Sequence, residues 1–207
     1  MKKVSNPRFW NKRYLDNNTA WDIGTPTPIV INYLKKNKKI GKVCILGCGN
    51  GYDALEFSKY ENDVYAVDFA DQALKNLKKL SNKNNLDINL VNQDIFNLNK
   101  SYPHFFDLVF EYTCFCAIDP ARRQEYFNVV HGILKNDGLL FAIFIPLDKD
   151  INRDGPPFGV NLEQIENMIS GKFKILENKF SNLSIEPRKN REKLVILQKM
   201  RANENQD

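Results

Sequence analysis

The stretch Lys42-Val43-Cys44-Ile45-Leu46-Gly47-Cys48-Gly49-Asn50-Gly51 decides the fold of this chain. Residues 43–46 form a short, continuous apolar run, which is typical of a strand covered on both faces. The alternating glycines that follow let the backbone turn tightly and come close to a ligand. A buried strand that runs into such a turn is typical of doubly wound α/β proteins, which bind ligands at the carboxyl ends of their strands.

The rest of the chain alternates strands with helices in the same way. Apolar residues recur at helical spacing in 73–80 and 126–133, and Asn161 with Gln164 three residues later has the pattern of a helix-opening capping box. Asn136-Asp137-Gly138 predicts a turn into a strand. Further strands are predicted at 64–67, 88–91, 106–110, 138–145, 172–177 and 192–198. The expected fold is a Rossmann-like α/β domain with a seven-stranded, mostly parallel sheet and helices on both faces.

Composition limits the class of protein. The 207 residues suit one domain, with 43% hydrophobic and 27% charged residues, as in ordinary globular proteins. Lysines scattered along the chain supply the net charge of +5, so we expect no nucleic-acid partner. We see no apolar run long enough for a membrane and no signal peptide, and we expect a cytoplasmic monomer or weak dimer. The four cysteines lack a good zinc spacing, so we expect reduced thiols and no metal.

Two aspartates follow the next two predicted strands. Asp68 comes directly after the second strand, where a carboxylate can accept hydrogen bonds from both hydroxyls of a ribose. Asp94 follows the third strand and can accept from an adenine amino group, with Ile95 as an apolar neighbour of the ring. A dinucleotide fingerprint would need a third glycine where the chain has Tyr52. The pattern therefore favours a mononucleoside ligand, with a nicotinamide-linked oxidoreductase as the alternative.

Two groups of motifs carry a resemblance to a known family. The first is Phe9-Trp10-Asn11-Lys12-Arg13-Tyr14 with the later run Trp21-Asp22-Ile23-Gly24-Thr25-Pro26. The second is Glu111-Tyr112-Thr113-Cys114-Phe115-Cys116-Ala117-Ile118-Asp119-Pro120 with Gly155-Pro156-Pro157-Phe158-Gly159. Together they resemble the thiopurine methyltransferase superfamily within the class I methyltransferases dependent on S-adenosylmethionine (SAM). The most similar branch is the plant-type thiol, thiocyanate and halide methyltransferases.

The resemblance implies a single SAM-binding domain over 1–207, with a helical cap (1–35) over the cofactor and a core (36–200). Aromatic side chains of the cap would surround the sulfonium cation, an interaction that aromatic faces favour. Tyr112 would face the methyl group or the acceptor, and Asp119 is a second candidate for moving an acceptor proton. The implied cofactor-binding residues are Trp10, Tyr14, Trp21, Leu46, Gly47, Gly49, Asp68, Asp94, Ile95 and Arg123.

The implied reaction is methyl transfer to a small thiol or sulfide, such as hydrogen sulfide or methanethiol, or to an anion such as thiocyanate or a halide. Such acceptors need no strong base, and neither His104 nor His131 adjoins a motif. Three alternatives remain: a thiopurine-type detoxifying methyltransferase, a SAM-binding domain without turnover, and the oxidoreductase. A nucleic-acid methyltransferase is disfavoured because Glu111-Tyr112-Thr113-Cys114 stands where a base-stacking motif is expected.

Overall fold

The computed structural model describes residues 3–150 and 155–201. Its strands are β1 (Lys42–Leu46), β2 (Asp63–Asp68), β3 (Asn89–Asn92), β4 (Phe106–Tyr112), β5 (Leu134–Phe144), β6 (Phe173–Lys179) and β7 (Lys193–Lys199). They form one seven-stranded sheet in the order β3-β2-β1-β4-β5-β7-β6. Strands β1 to β5 are parallel, whereas β7 runs antiparallel to both of its neighbours.

Helices cover both faces of the sheet, because alternate side chains of each central strand point to opposite sides. The α-helices of the described ranges are α1 (Pro7–Leu15), α2 (Pro28–Lys36), α3 (Tyr52–Lys59), α4 (Asp71–Lys83), α5 (Leu98–Ser101), α6 (Arg123–Ile133) and α7 (Leu162–Ile169). In β1, Val43 and Ile45 pack in one hydrophobic cluster with α2, α3 and α4, while Cys44 and Leu46 pack in the other with α6 and α7. The predicted Rossmann-like α/β fold is confirmed.

One predicted boundary differs clearly from the structure. The Asn136-Asp137-Gly138 turn was expected to precede the fifth strand, but β5 already begins at Leu134, which pairs with Phe106 of β4. Asp137 has a φ of 63°, and the register between β4 and β5 shifts beside it. The turn is therefore an irregularity inside the strand, because pairing with β4 starts before the chain reaches it.

The topology brings the ends of all seven strands that lead towards the cavity to one edge of the sheet. The carboxyl ends of β1 to β5 lie there, as expected for parallel strands. The amino end of β7 lies at the same edge because that strand is antiparallel to β5, and the carboxyl end of β6 lies there because β6 is antiparallel to β7. None of the helices in the described part of the chain is long and apolar enough to cross a membrane.

Candidate active site

A cavity of about 510 Å³ opens at this edge of the sheet, within the size range of small-molecule sites. All but two of the residues predicted for the site line it. Those that line it are Trp10, Tyr14, Trp21, Gly47, Gly49, Asp68, Asp94, Ile95, Tyr112 and Asp119. The two exceptions are Leu46 and Arg123.

The Asp68 carboxylate is hydrogen-bonded to the backbone of the glycine turn. Its carboxylate accepts from the backbone N–H of Gly49 (3.0 Å) and from that of Ala70 (2.8 Å). Burial raises its pKa to about 6, and the hydrogen bonds from backbone N–H groups oppose that rise. Each carboxylate oxygen has a second acceptor site, so the ionised group can still accept from a ligand.

The glycines of the turn leave no room for side chains. Gly47 and Gly49 have φ values of 57° and 55°, in the left-handed region that favours glycine. A Cβ on Gly47 would lie 2.9 Å from the Cys114 sulfur, and one on Gly49 would lie 3.0 Å from the Tyr14 hydroxyl. The turn is therefore packed closely between the β4 loop and the N-terminal segment.

The loop after β3 forms another wall of the cavity. The Asp94 carboxylate accepts from the backbone N–H of Phe96 (3.1 Å) and caps a short 3₁₀ helix. The guanidinium of Arg122 stacks over the Phe96 ring at 3.4 Å from its centroid and forms two hydrogen bonds with Glu125. A flat apolar surface beside a carboxylate suits a purine ring with an exocyclic amino group.

Three aromatic side chains of the N-terminal segment close the cavity. The Trp21 ring meets Trp10 and Tyr14 edge to face, with centroids 5.5 and 5.7 Å apart. Burial raises the pKa of Tyr14 far above its usual value, and the negative charge of Asp68 adds to that effect, so its hydroxyl stays protonated. An aromatic wall of this kind favours a cation without providing a counter-charge.

Polar contacts attach this segment to the core. Asn50 of the glycine turn donates to the Asp22 carboxylate and accepts from Asn76 of α4 (2.8 Å). The guanidinium of Arg188 donates to the backbone carbonyl of Trp21. The segment is thus bonded to both ends of the cavity.

Tyr112 forms the wall at the end of β4. Its hydroxyl donates to the Glu192 carboxylate at 2.7 Å, and the Arg188 guanidinium lies over its ring at 4.7 Å. Burial and the negative charge of Glu192 raise the pKa of Tyr112 far above its usual value. The Tyr112 hydroxyl is therefore protonated and donates its hydrogen bond to Glu192.

Asp119 caps the short 3₁₀ helix Pro120–Arg122 by accepting from the backbone N–H of Ala121 at 3.2 Å. The cavity wall also has an apolar part, formed by Ile118, Ile145, Pro146 and Pro156. Arg122 of the same 3₁₀ helix connects this part of the wall to the Phe96 ring of the loop after β3.

Leu46 and Arg123 do not line the cavity. Leu46 is 1% exposed in the core between the sheet and α6. Arg123 is also buried, donates to the Gly159 carbonyl (2.8 Å) and lies over the Phe115 ring. The guanidinium that does reach the cavity from this helix start is that of the preceding residue, Arg122. Arg123 instead connects the loop after β4 to the loop that carries Gly159.

Several charged groups in the cavity wall or directly behind it were not singled out from the sequence. Glu111 is 1% exposed, accepts from the Phe115 N–H (2.8 Å), and burial raises its pKa to about 8. Asp53 accepts from the Thr27 N–H, and burial raises its pKa to about 7. Arg188 and Glu192 lie in a charged run ahead of β7. The sequence would have placed this run beside the cavity only if the antiparallel direction of β7 had been known.

Comparison with known proteins assigns the family. The family model for thiopurine S-methyltransferase matches residues 5–203. The chain belongs to this family. It is 30% identical over 189 residues to a protein named probable thiol methyltransferase 2 from Arabidopsis thaliana, covering 89% of this chain and 82% of the relative. It is also 30% identical over 190 residues to thiocyanate methyltransferase 1 of Brassica oleracea, with the same coverage.

Solved structures share the fold at lower identity. The Burkholderia thailandensis 1,6-didemethyltoxoflavin N1-methyltransferase, solved with bound 1,6-didemethyltoxoflavin and S-adenosylhomocysteine, superposes with a TM-score of 0.73. Its sequence identity is 16%, over 95% of this chain and 87% of the other. The predicted superfamily and enzyme class are confirmed: the chain is a SAM-dependent S-methyltransferase, and the oxidoreductase alternative is excluded.

The cavity fits SAM. A carboxylate below the glycine turn suits a ribose, the Asp94–Phe96 wall suits an adenine, and the aromatic cap suits a sulfonium. The close approaches at Gly47 and Gly49 leave the backbone as the surface that a ligand meets.

Proposed function

We propose that this enzyme methylates a small sulfur acceptor that reacts as an anion, such as hydrosulfide, methanethiolate or thiocyanate, and also accepts halides. The observation that carries the proposal is the apolar part of the cavity wall formed by Ile118, Ile145, Pro146 and Pro156, together with a Tyr112 hydroxyl that is already bonded to Glu192. The similarity to plant proteins named for thiol and thiocyanate methylation supports the same acceptor class.

For the cofactor, we propose that Asp68 accepts from the ribose hydroxyls and that Asp94 with Ile95 binds the adenine. Gly47 and Gly49 would run along the methionine part, and Trp10, Tyr14 and Trp21 would surround the sulfonium. SAM supplies a methyl group that is already activated as a sulfonium. The residues of the chain have to align the acceptor and exclude water from it.

In this proposal no side chain removes the acceptor proton. Tyr112 is kept protonated by its environment, and Asp119 is held as a helix cap. The acceptor therefore binds in its ionised form. A new carbon–sulfur bond forms at the acceptor as the methyl–sulfonium bond breaks, and the electron pair of the broken bond stays on the departing sulfur.

The proposal is tested with a panel of acceptors: sulfide, methanethiol, thiocyanate, iodide and a thiopurine. For a thiol, kcat/KM should rise with pH and level off near the pKa of that thiol in solution, while for thiocyanate it should stay nearly flat. Tyr112→Phe and Asp119→Asn should keep both profile shapes. If a thiol and thiocyanate gave the same pH-dependent profile, an enzyme group would be titrating and the proposal would be wrong.

A thiopurine acceptor is the second candidate, and the match to the thiopurine S-methyltransferase family model favours it. The two candidates differ in the size of the acceptor beyond Tyr112. A kcat/KM higher for the thiopurine than for every small acceptor would select this second function.

A further inference from the structure

The N-terminal segment that closes the cavity carries a carboxylate beside the glycine turn, that of Asp22. The residue is half-buried and lines the cavity. Its Oδ2 accepts from the side-chain amide of Asn50, and its Oδ1 accepts from the backbone N–H of Gly24 at 2.6 Å. Because Asn50 directly follows Gly49 in the turn, the Asp22 carboxylate is held against the turn itself.

The Asp22 carboxylate has no cationic partner in the protein. No Lys or Arg nitrogen of residues 3–150 and 155–201 forms an ion pair with it, and Arg188 donates to the neighbouring backbone carbonyl of Trp21 instead. Each carboxylate oxygen accepts one hydrogen bond from a neutral amide and has a second acceptor site. An unpaired carboxylate in a ligand cavity favours a cationic group of the ligand.

The order of the strands indicates which part of the cofactor Asp22 would meet. The residues proposed for adenine and ribose follow β3 and β2, and the glycine turn follows β1, which is the next strand in the sheet. Asp68 is bonded to the N–H of Gly49, so the ribose site adjoins the turn. A cofactor that extends from its ribose along the turn therefore brings its amino-acid end, with an α-ammonium and an α-carboxylate, towards Asp22.

The glycine turn itself offers no negative charge to that ammonium group, because residues 47–51 are glycine, cysteine and asparagine. A second carboxyl group near the turn belongs to Asp53, which lines the cavity and accepts from the Thr27 N–H. Burial raises the pKa of Asp53 to about 7, and the negative charge of Asp22 adds to that rise. Asp53 is thus partly protonated at neutral pH, which makes it the weaker partner for a cation.

From these observations we infer that Asp22 binds the α-ammonium group of the cofactor. The inference rests on the proposed function, which runs the methionine part along Gly47 and Gly49. It goes further because Asp22 belongs to the segment that covers the cavity and not to the core. The amino group of the cofactor would therefore hold that segment closed.

Calorimetry tests the site without turnover by comparing S-adenosylhomocysteine with its deamino analogue, in which hydrogen replaces the α-amino group. The wild-type enzyme should bind S-adenosylhomocysteine about tenfold or more tightly than the analogue. Asp22→Asn should lose most of this preference and bind the two ligands within about threefold of each other. Asp22→Glu keeps the charge and should restore part of the preference.

Three controls separate an ammonium site from a structural role. Asp16→Asn removes an exposed acid of the same segment that pairs with Lys12, and it should keep the wild-type preference. Asp53→Asn should also keep it. The ligand 5′-methylthioadenosine lacks the whole amino-acid end and should bind the wild type and Asp22→Asn with equal affinity.

Closure of the segment gives a second readout. At equal saturation of the wild type, S-adenosylhomocysteine should protect Lys12 and Arg13 from trypsin more strongly than the deamino analogue does. In Asp22→Asn the two ligands should protect these sites equally. Equal protection by the two ligands in the wild type would contradict the inferred contact.

The inference is overturned if the wild type shows no preference for the amino group, or if Asp22→Asn keeps that preference. Loss of 5′-methylthioadenosine binding in Asp22→Asn would make Asp22 a structural residue and would also overturn it. A preference that disappears in Asp53→Asn and persists in Asp22→Asn would assign the ammonium group to Asp53 instead.

The proposed function fails separately from this inference. An enzyme that recognises the amino group through Asp22 but methylates no small sulfur acceptor would lose the proposed function and keep the ammonium site. Methylation of thiocyanate by an enzyme whose Asp22→Asn variant retains the full preference would keep the function and remove the site.

Discussion

Asp68 has two tasks, and its surroundings explain how one carboxylate serves both. It holds the turn through the N–H of Gly49 and begins α4 through the N–H of Ala70, yet it also faces the cavity. Burial raises its pKa only to about 6, so the group is mainly ionised at neutral pH and remains a strong acceptor.

Replacement of Asp68 by Asn should therefore weaken cofactor binding more than it weakens the fold. The amide has one acceptor oxygen, and its NH₂ group would face a backbone donor in the turn. We expect S-adenosylhomocysteine affinity to fall about tenfold or more, or roughly 1.5–3 kcal/mol, as measured by calorimetry at pH 8. Asp71→Asn, on the exposed start of α4, is the control. Equal S-adenosylhomocysteine affinities in the two variants would mean that Asp68 only caps the local backbone and does not bind the cofactor.

At the scale of elements, the N-terminal segment closes the cavity and is attached to the core by a small apolar contact with Ala70 and Ala73 and by a few hydrogen bonds. The aromatic contacts of Trp10 and Tyr14 with Trp21 lie within the segment itself. Its contacts to the core include the Asp22–Asn50 hydrogen bond, the Gln72–Asn11 hydrogen bond and the Arg188 contact to Trp21. A segment held in this way opens at a lower free energy than the sheet.

Loss of the Asn50 side chain should loosen this segment. Asn50→Ala removes the bonds to Asp22 and Asn76 while the sheet is unchanged. We expect faster tryptic cleavage at Lys12 and Arg13 in the free enzyme, and protection by S-adenosylhomocysteine. Asn84→Ala, which removes only a local helix-end contact, should be cut like the wild type. Identical cleavage with and without the ligand would mean that the segment does not act as a lid.

For the molecule as a whole, buried carboxyl groups at the site set the pH dependence of stability. Burial raises the pKa of Glu111 to about 8 and that of Asp53 to about 7, above their values of 4.5 and 3.8 in an unfolded chain. The folded state therefore binds protons more tightly than the unfolded state. The contribution of these groups to the free energy of unfolding is largest below pH 4 and decreases as pH rises towards 8.

We expect the free energy of unfolding of the ligand-free enzyme to decrease by several kcal/mol between pH 5 and pH 8.5. Urea unfolding at several pH values measures this slope. Glu111→Gln should flatten the curve, because its side chain cannot ionise, whereas Glu166→Gln on the exposed face of α7 should leave it unchanged. A wild-type stability that rises over this range would contradict the raised pKa values.

The sequence by itself determined the sheet, the glycine turn and most of the cavity wall. Each of these depends on a local pattern: an apolar run for a buried strand, glycines where φ is positive, and an acid at a strand end. The carboxyl ends of parallel strands necessarily meet at one edge, so Asp68, Asp94 and Tyr112 could be placed together without coordinates.

Only the tertiary structure decided which neighbouring side chain faces the ligand. Arg122 and Arg123 are adjacent in the sequence, yet the first reaches the cavity and the second is buried against Phe115, because the helix start points them in different directions. Arg188 reached the site because β7 runs antiparallel, which depends on the pairing of β7 with β5. The raised pKa of Glu111 likewise results from burial by distant segments, and burial is a property of packing and not of local sequence.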